Sequence, residues 1–291
     1  MSLVPPLRVD ARRIETVTDA TRAELSALVV EDAVVNAVID ARLAAYRTVD
    51  PTVFGGRLLA TRDEHGRMSG AAFDGGNLIP IGGSRADWSV LAAHAGDTPR
   101  RCTSITGRAD AVAALWTVLE PKWRPARAIR SDQPLLTLHR GDTVPVRPDP
   151  RVRVLGREHL ASYLPAAVEM FTEELGVSPF DGPLGGSYRH RVEFTLGAGR
   201  ALGIVDHDGR IAFKADLGVM TAATVQVQGV WTRPDLRGHG LGTAAMAYVL
   251  DHARRLAPTV SLYVNDFNSA ALRMYQRLGM NKIATLATVL F

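Results

Sequence analysis

A glycine-rich turn that joins a strand to a helix constrains the fold of this chain more than any other feature. Residues 224–231 alternate between polar and apolar types and are rich in β-branched side chains, which predicts a strand. Residues 237–242, Arg-Gly-His-Gly-Leu-Gly, form the turn. Apolar residues then repeat at the spacing of one helix face: Leu241, Ala244, Ala245, Tyr248 and Val249. The sequence therefore predicts a strand, a tight turn and a helix in immediate succession.

The start of such a helix can bind an anion. Its first backbone N–H groups have no partner within the helix, and the helix dipole is positive there. Glycines leave those N–H groups open to a ligand, so we expect a diphosphate held by backbone amides. Two common phosphate-binding motifs do not fit. The dinucleotide fingerprint G-x-G-x-x-G would need glycine at Thr243, and the P-loop needs a Gly-Lys pair, which the chain lacks.

The turn fits a different pattern, R-x-x-G-x-G, with Arg237, Gly240 and Gly242 at the fixed positions. This pattern resembles the acyl-CoA loop of the Gcn5-related N-acetyltransferases, the GNAT superfamily. The sequence downstream of the turn also resembles that family, since residues 259–265 are typical of the next strand.

A second motif lies after that strand. The family pattern N-x-x-A-x-x-x-Y-x-x-x-G is filled by Asn268, Ala271, Tyr275 and Gly279, and Met280 stands where the family has phenylalanine. Both motifs occur in the family's order and at its separation. The resemblance covers about residues 224–291 and extends back to about residue 151.

The resemblance implies an α/β fold with a mixed sheet, the GNAT fold, in the C-terminal half. Prolines in residues 144–150 predict a boundary, so we expect domains at residues 1–147 and 148–291. Residues 77–138 show the same order of strand, turn, helix, strand, helix and strand, without an R-x-x-G-x-G turn. We interpret the first half as a degenerate acetyltransferase-like domain, which resembles the companion domain of two-domain actinobacterial acetyltransferases. An unrelated α/β domain is the alternative.

The composition bounds the classes of function. The 46% hydrophobic and 22% charged content is typical of a globular protein with a full core. A net charge of +4 suits an anionic small molecule, but no basic run is dense enough to indicate nucleic acid. Cys102 is the sole cysteine, and we expect it in the core. We see no metal-ligand pattern, signal peptide or transmembrane stretch, and expect a cytoplasmic protein of undetermined oligomeric state without membrane partners.

The resemblance implies how an acyl-CoA is bound. The backbone of Val230, Trp231 and Thr232 lies along the pantetheine arm, and Gly229 marks a bulge that separates two strands to admit that arm. Arg237 lies beside the diphosphate. The remaining turn residues provide backbone N–H groups to it: Gly238, His239, Gly240, Leu241, Gly242 and Thr243.

Two asparagines complete the expected acyl-CoA site. Asn265 ends the strand after the turn, and Asn268 opens the next helix. Both could hydrogen-bond the cosubstrate, although Asn268 is equally well placed as the N-cap of that helix.

Tyr275 is the candidate general acid, which the resemblance places beside the CoA sulfur. It also falls on the apolar face of its helix, so a role in the core stays open. The general base is less determined. Family members often carry a glutamate on the strand before the turn, but this chain has Gln226 and Gln228 there, and amides take no proton at neutral pH.

Other residues are candidates for the base. Glu173 and Glu174, at the end of the helix predicted over residues 160–175, could reach the acceptor, or could be solvated charges. Asp216 is a weaker candidate, and solvent could also take the proton.

The expected function is that of an N-acyltransferase. It would move an acetyl group from acetyl-CoA to a primary amine of a small molecule or protein, by direct attack of the amine. A non-catalytic acyl-CoA-binding regulator is the alternative, because the strand before the turn lacks a glutamate. A transferase that uses aminoacyl-tRNA is disfavoured by the intact turn and by the absence of a basic stripe.

Overall fold

Strands and helices alternate along the chain. The computed structural model describes residues 12–181 and 185–291. The strands are β1 (Arg13–Thr16), β2 (Gly56–Arg62), β3 (Met68–Gly75), β4 (Leu78–Gly82), β5 (Ser104–Arg108), β6 (Ala128–His139), β7 (Arg153–Leu155), β8 (Ala201–Val205), β9 (Ile211–Met220), β10 (Thr224–Thr232), β11 (Thr259–Tyr263) and β12 (Asn281–Leu290). The helices are α1 (Arg22–Val30), α2 (Ala37–Ala45), α3 (Pro51–Phe54), α4 (Arg85–Gly96), α5 (Ala109–Leu119), α6 (Leu160–Leu175), α7 (Gly185–Gly197), α8 (Leu241–Ala253) and α9 (Ser269–Arg277).

The chain forms two units with the same sheet order. Unit 1 contains the described residues up to Pro134 together with Ala284–Phe291, and unit 2 contains the described part of Leu135–Ile283. The order is β1-β2-β3-β4-β5-β12 in unit 1 and β7-β8-β9-β10-β11-β6 in unit 2. In each unit neighbouring strands are antiparallel, except for a parallel fourth and fifth strand, β4 with β5 and β10 with β11. The predicted mixed sheet is confirmed, and unit 1 repeats the strand order and pairing of unit 2.

The sixth strand of each sheet comes from the other half of the chain. β6 follows the helices of unit 1, but its residues 135–139 pair with β11 in unit 2, where Leu138 lies opposite Val260. β12 follows the helices of unit 2 but pairs with β5 in unit 1, where Ala287 lies opposite Gly107. Unit 1 therefore takes its sixth strand from the C-terminal end of the chain, and unit 2 takes its own from the segment that follows α5.

The expected domain boundary and the division of the structure do not coincide. The prolines after residue 143 suggested a boundary between residues 147 and 148, whereas the units divide after Pro134. The proline-rich segment belongs to unit 2 because it packs there. The backbone N–H of Asp149 donates to Ala244 O (2.9 Å), and Val144 and Val146 contact the core around α8.

Apolar side chains cover both faces of each sheet. In unit 2, one core contains Leu250 of α8 and Tyr275 of α9, and the other contains Tyr163 of α6 and Leu196 of α7. Unit 1 has corresponding clusters under α4 and α5 and under α1 and α2. Cys102 is buried in unit 1, and burial raises the pKa of its thiol to about 11, as suits the predicted core residue. No helix in residues 12–181 or 185–291 has the length and apolar character needed to cross a bilayer.

Candidate active site

The predicted glycine turn lies between β10 and α8 in unit 2. Gly238 and Gly240 both have a φ of +83°, a left-handed conformation that favours glycine. A Cβ built on either residue meets no atom within 4 Å, so both face open space. Glycine is needed at these positions for the backbone conformation and not for packing, and the turn surface stays free of side chains.

Backbone N–H groups of this turn are the next feature of the site. Gly240 is the N-cap of α8 and provides no side chain to cap it. The first bond of the helix runs from Ala244 N to Gly240 O (3.1 Å). Among the described residues, no group accepts a hydrogen bond from the N–H groups of residues 238–243. These donors are accessible from solvent, so the helix start fits an anion in contact with the backbone.

Gly242 has a different role, because it brings α8 against the end of β10. A Cβ there would lie 2.8 Å from Thr232 Oγ1. The carbonyl of Thr232 accepts a hydrogen bond from Arg237 Nε (2.7 Å). The end of the strand thus holds both the helix start and the arginine of the R-x-x-G-x-G pattern in position.

Glu173 pairs with that arginine. One terminal nitrogen of Arg237 lies 2.8 and 3.1 Å from the two carboxylate oxygens of Glu173, at the end of α6. Both side chains are exposed, so water screens the pair. Glu174 is exposed on the other side of this helix end, where its carboxylate contributes, after burial and together with Asp216, to raising the pKa of Tyr188 to about 12. The two glutamates proposed as bases therefore face different surroundings.

A bulge interrupts β10 at Gly229, as predicted. Gln228 lies opposite Asp216 and Trp231 lies opposite Lys214, so two residues of β10 face one residue of β9. Gly229 has a φ of +58°. The parallel pairing of β10 with β11 covers only residues 224–226. Beyond that point the bulge directs β10 away from β11. An elongated ligand needs such a gap to enter between the two strands.

Trp231 contributes to this region through its backbone. Its side chain is buried in the core under α6 and α7. Val230 and Thr232 on either side are half-buried. Gln226 and Gln228 bond to each other, with Gln228 Nε2 2.9 Å from Gln226 Oε1, so neither resembles a proton acceptor.

A buried ionic cluster lies directly beside the bulge. The side chain of Lys214 is fully buried, and its Nζ lies 3.1 Å from Asp216 Oδ2 and 2.8 Å from Gly229 O. The hydroxyl of Tyr163 donates to the other carboxylate oxygen of Asp216. Burial first, and then the Asp216 carboxylate, raise the pKa of Tyr163, which keeps this hydroxyl a donor. A Cβ on Gly229 would lie 2.6 Å from Asp216 Oδ2.

Sequence reasoning gave Asp216 little weight and missed Lys214 and Tyr163. One signal was present, since Lys214 and Asp216 interrupt the otherwise apolar residues 211–217. A lysine in such a position is seldom fully buried unless it is paired.

Tyr275 lies in the core of unit 2, on the buried face of α9. It is 5% exposed, and its hydroxyl makes no hydrogen bond to the part of the chain that the structure describes. Burial raises its pKa well above the usual value, so the phenol keeps its proton. Tyr275 thus occupies the position of a core residue, and its role as an acid stays a prediction.

Asn268 caps α9. Its side-chain oxygen accepts a hydrogen bond from the backbone N–H of Ala271 (3.1 Å), and its backbone N–H donates to Asn265 O (2.9 Å). The N-cap role weighed for Asn268 is thus observed. Its side-chain amide can still donate elsewhere.

Unit 1 closes the corresponding helix start with a carboxylate. Asp87 accepts from the backbone N–H of Ser84 (2.8 Å) in a capping box at α4, and from the hydroxyls of Ser69 and Thr61 (both 2.7 Å). Burial alone would raise the pKa of Asp87, but these hydrogen bonds outweigh it and lower the pKa to about 2. The buried carboxylate of Asp87, which also pairs with Arg12, therefore lies where an anion would bind.

Comparison with known proteins agrees with this geometry. Residues 183–280 match the model of the acetyltransferase (GNAT) family, and residues 56–163 match a domain of unknown function, DUF4081. No curated protein matches the chain. Residues 183–280 therefore match an acetyltransferase (GNAT) domain, and the fold of nearly the whole chain is similar to that of a tandem GNAT protein.

Solved structures share this fold along nearly the whole chain. A GNAT-family acetyltransferase from Colwellia psychrerythraea has a TM-score of 0.56 and 10% identity, covering 96% of this chain and 99% of its own. A GCN5-related N-acetyltransferase from Sphaerobacter thermophilus has a TM-score of 0.58 and 18% identity, covering 95% of each chain. A tandem GNAT protein from the clavulanic acid biosynthesis pathway has a TM-score of 0.52 and 16% identity, covering 96% and 98%. At these identities the likeness concerns the fold.

Proposed function

We propose that the protein is an N-acetyltransferase that transfers the acetyl group of acetyl-CoA to a primary amine by direct attack. The observation that carries the proposal is the run of unpaired backbone donors over residues 238–243, at a helix start that no side chain caps. These donors suit the diphosphate of a CoA thioester, and Arg237 beside them adds a positive charge. The GNAT domain supports the reaction class.

The bulge provides the binding site for the pantetheine arm of the cosubstrate in this proposal. With β10 and β11 unpaired beyond Gln226, the backbone of Val230, Trp231 and Thr232 is accessible to the amides of the pantetheine arm. Asn265 follows β11 and Asn268 caps α9, and in this proposal both hydrogen-bond the cosubstrate. The reacting thioester then lies between the bulge and α9.

Tyr275 is the proton donor in this proposal. The ammonium first loses one proton to solvent, and the amine nitrogen then forms a bond to the thioester carbonyl carbon as the C–S bond breaks. The departing thiolate takes the phenolic proton, and the second proton released by the nitrogen restores the phenol through solvent. Burial raises the pKa of Tyr275, so the phenol carries its proton when the thioester binds. Binding both reactants in register accounts for most of the acceleration.

A thiol-release assay with a panel of amines tests the proposal. The panel contains spermidine, lysine methyl ester, glucosamine and a short peptide with a free N-terminus, each with acetyl-CoA. We expect CoA release that depends on at least one amine, and loss of that release in Gly240→Val. The matched control is Gly209→Val, because Gly209 also has a positive φ, +76°, and open space around it, but lies in the β8–β9 turn.

The result of this assay distinguishes an acetyltransferase from a protein that only binds acetyl-CoA. Binding of acetyl-CoA without release of CoA across the panel would favour the non-catalytic regulator, for which the Gln226–Gln228 pair is the supporting observation. Equal loss of activity in Gly240→Val and Gly209→Val would mean that backbone strain, and not a blocked diphosphate site, causes the effect.

A further inference from the structure

The ionic cluster beside the bulge contains one carboxylate, Asp216, that can accept further hydrogen bonds. A carboxylate accepts about four hydrogen bonds. Asp216 receives one from Tyr163 at Oδ1 and one from Lys214 at Oδ2, and its side chain remains 23% exposed. Oδ2 of this carboxylate lies next to Gly229 at the bulge, since a Cβ on Gly229 would lie 2.6 Å from it.

We propose that Asp216 is the residue that holds the acceptor amine. It accepts hydrogen bonds from the amine at the bulge, and Lys214 and Tyr163 are positioning residues that fix the carboxylate. This inference rests on the proposed function and deepens it, because a carboxylate at this point selects an acceptor that arrives as an alkylammonium ion. Aromatic amines and hydroxyls, which carry no charge at neutral pH, would bind poorly there.

All three N–H donors of Lys214 have acceptors within the protein, so Lys214 does not bind the substrate itself. Its three N–H donors reach Asp216 Oδ2, Gly229 O and, at 3.6 Å, the sulfur of Met170. Its ammonium also lies 5.1 Å from the centre of the Tyr163 ring, within cation–π distance. Lys214 is a buried cation that bonds to both Asp216 and Gly229, so the carboxylate and the backbone of the bulge cannot move independently.

The glutamates of α6 fit this role less well. Glu173 is paired with Arg237, the arginine of the diphosphate turn, so it faces the opposite end of the cosubstrate site. Glu173 and Glu174 are both on the exposed end of α6, where water competes for an amine. Asp216 alone among these carboxylates touches the bulge.

Asp216→Asn tests the inference, because the substitution keeps the shape of the side chain and removes its charge. The matched control is Asp208→Asn, which makes the same change on an exposed residue of the β8–β9 turn. Using the most active amine of the panel, we expect the KM for the amine to rise at least about 10-fold in Asp216→Asn. We expect the calorimetric Kd for acetyl-CoA to stay within about twofold of the native value.

Tyr163→Phe provides a second variant that removes only one hydrogen bond from the carboxylate. We expect a smaller rise in the KM for the amine, about 3-fold, and no additional rise when Tyr163→Phe is combined with Asp216→Asn. A merely structural tyrosine would give equal effects in both backgrounds. Tyr163→Phe retains the packing of the ring, so the test survives if Asp216→Asn folds poorly.

The outcomes distinguish this inference from the proposed function. If the native protein acetylates no amine, the proposed function fails and this inference fails with it. If the native protein acetylates an amine and the KM for that amine is unchanged in both Asp216→Asn and Tyr163→Phe, only the role of Asp216 is overturned. A loss of acetyl-CoA binding in Asp216→Asn equal to the loss of activity would also overturn it, by assigning the cluster to the cosubstrate.

Discussion

The ammonium of Lys214 lies 2.8 Å from the carbonyl oxygen of Gly229, so a fully buried cation is bonded to the bulge of β10. Burying an ammonium is costly unless charge and hydrogen bonds compensate it, and here Asp216 provides the charge. The bulge, the ion pair and the gap between β10 and β11 therefore form a single structural unit. Changes to any of its members should affect both stability and the reaction.

Gly229→Ala should destabilise the protein beyond the cost of its backbone conformation. The new Cβ would lie 2.6 Å from Asp216 Oδ2 and 2.9 Å from Lys214 Nζ. A left-handed alanine alone costs about 1 kcal/mol, and disturbing a buried ion pair costs about 3 kcal/mol more. Gly209→Ala is the control, because it imposes the same left-handed strain but its new Cβ would meet no atom within 4 Å. Thermal unfolding of the two variants should show a clearly lower midpoint for Gly229→Ala, and equal midpoints would refute the packing argument.

Tyr275→Phe should separate catalysis from stability. Its hydroxyl makes no hydrogen bond to the described residues, so its removal should leave the free energy of unfolding unchanged. If the phenol protonates the thiolate, turnover should fall by about 100-fold while the Kd for acetyl-CoA stays constant.

Tyr188→Phe is the contrasting variant for Tyr275→Phe. The Tyr188 hydroxyl donates to Ala167 O (2.7 Å), so its loss should cost about 1 kcal/mol of stability. Steady-state kinetics and denaturant unfolding measure both quantities. A native kcat in Tyr275→Phe would leave this tyrosine a core residue only.

Glu173→Gln should retain turnover. Glu173 contacts Arg237 and not the bulge, so we expect kcat to stay within about twofold of native. Affinity for acetyl-CoA should rise at low ionic strength, because Arg237 no longer has a competing carboxylate, and the gain should shrink as salt is added. Turnover lowered by about 100-fold at unchanged acetyl-CoA affinity would instead make Glu173 the general base.

The pH dependence of unfolding should reveal how much Asp87 contributes to stability. Because its pKa is lowered to about 2 in the folded protein, its stabilisation is present above about pH 4 and is lost as the pH falls towards 2. The lowering from 3.8 corresponds to about 2 kcal/mol. Asp87→Asn should therefore unfold more easily than the native protein at pH 6, with the gap narrowing below pH 4. Glu64→Gln, an exposed carboxylate in the β2–β3 turn, should show no gap, and a gap for Asp87→Asn that is constant down to pH 3 would exclude this role.

Local patterns were sufficient to predict much of unit 2. Alternation and helical spacing predicted β10, α8, β11 and α9, and the glycine turn predicted the uncapped helix start at Gly240. These features depend on a few neighbouring residues, so the sequence contains them directly. The bulge at Gly229 was also predictable, because an isolated glycine within a strand pattern typically marks a bulge or a close backbone approach.

Features formed by distant residues could not be predicted in this way. The exchange of β6 and β12 depends on pairing between residues far apart in sequence, such as Leu138 with Val260, and no local pattern encodes it. The contact of Tyr163 with Asp216 likewise joins α6 to β9 only in the folded chain. A search for buried charged residues within apolar strands would have found Lys214, but not its partners.

Calorimetric titration with acetyl-CoA tests the central claim most directly, with native protein and with Gly240→Val and Gly209→Val measured in parallel. The account predicts binding of one acetyl-CoA per chain with a Kd in about the micromolar range, retained in Gly209→Val and lost in Gly240→Val. One site is expected because Asp87 closes the helix start of unit 1. Absence of binding to the native protein, or binding that Gly240→Val retains, would contradict the assignment of the turn between β10 and α8.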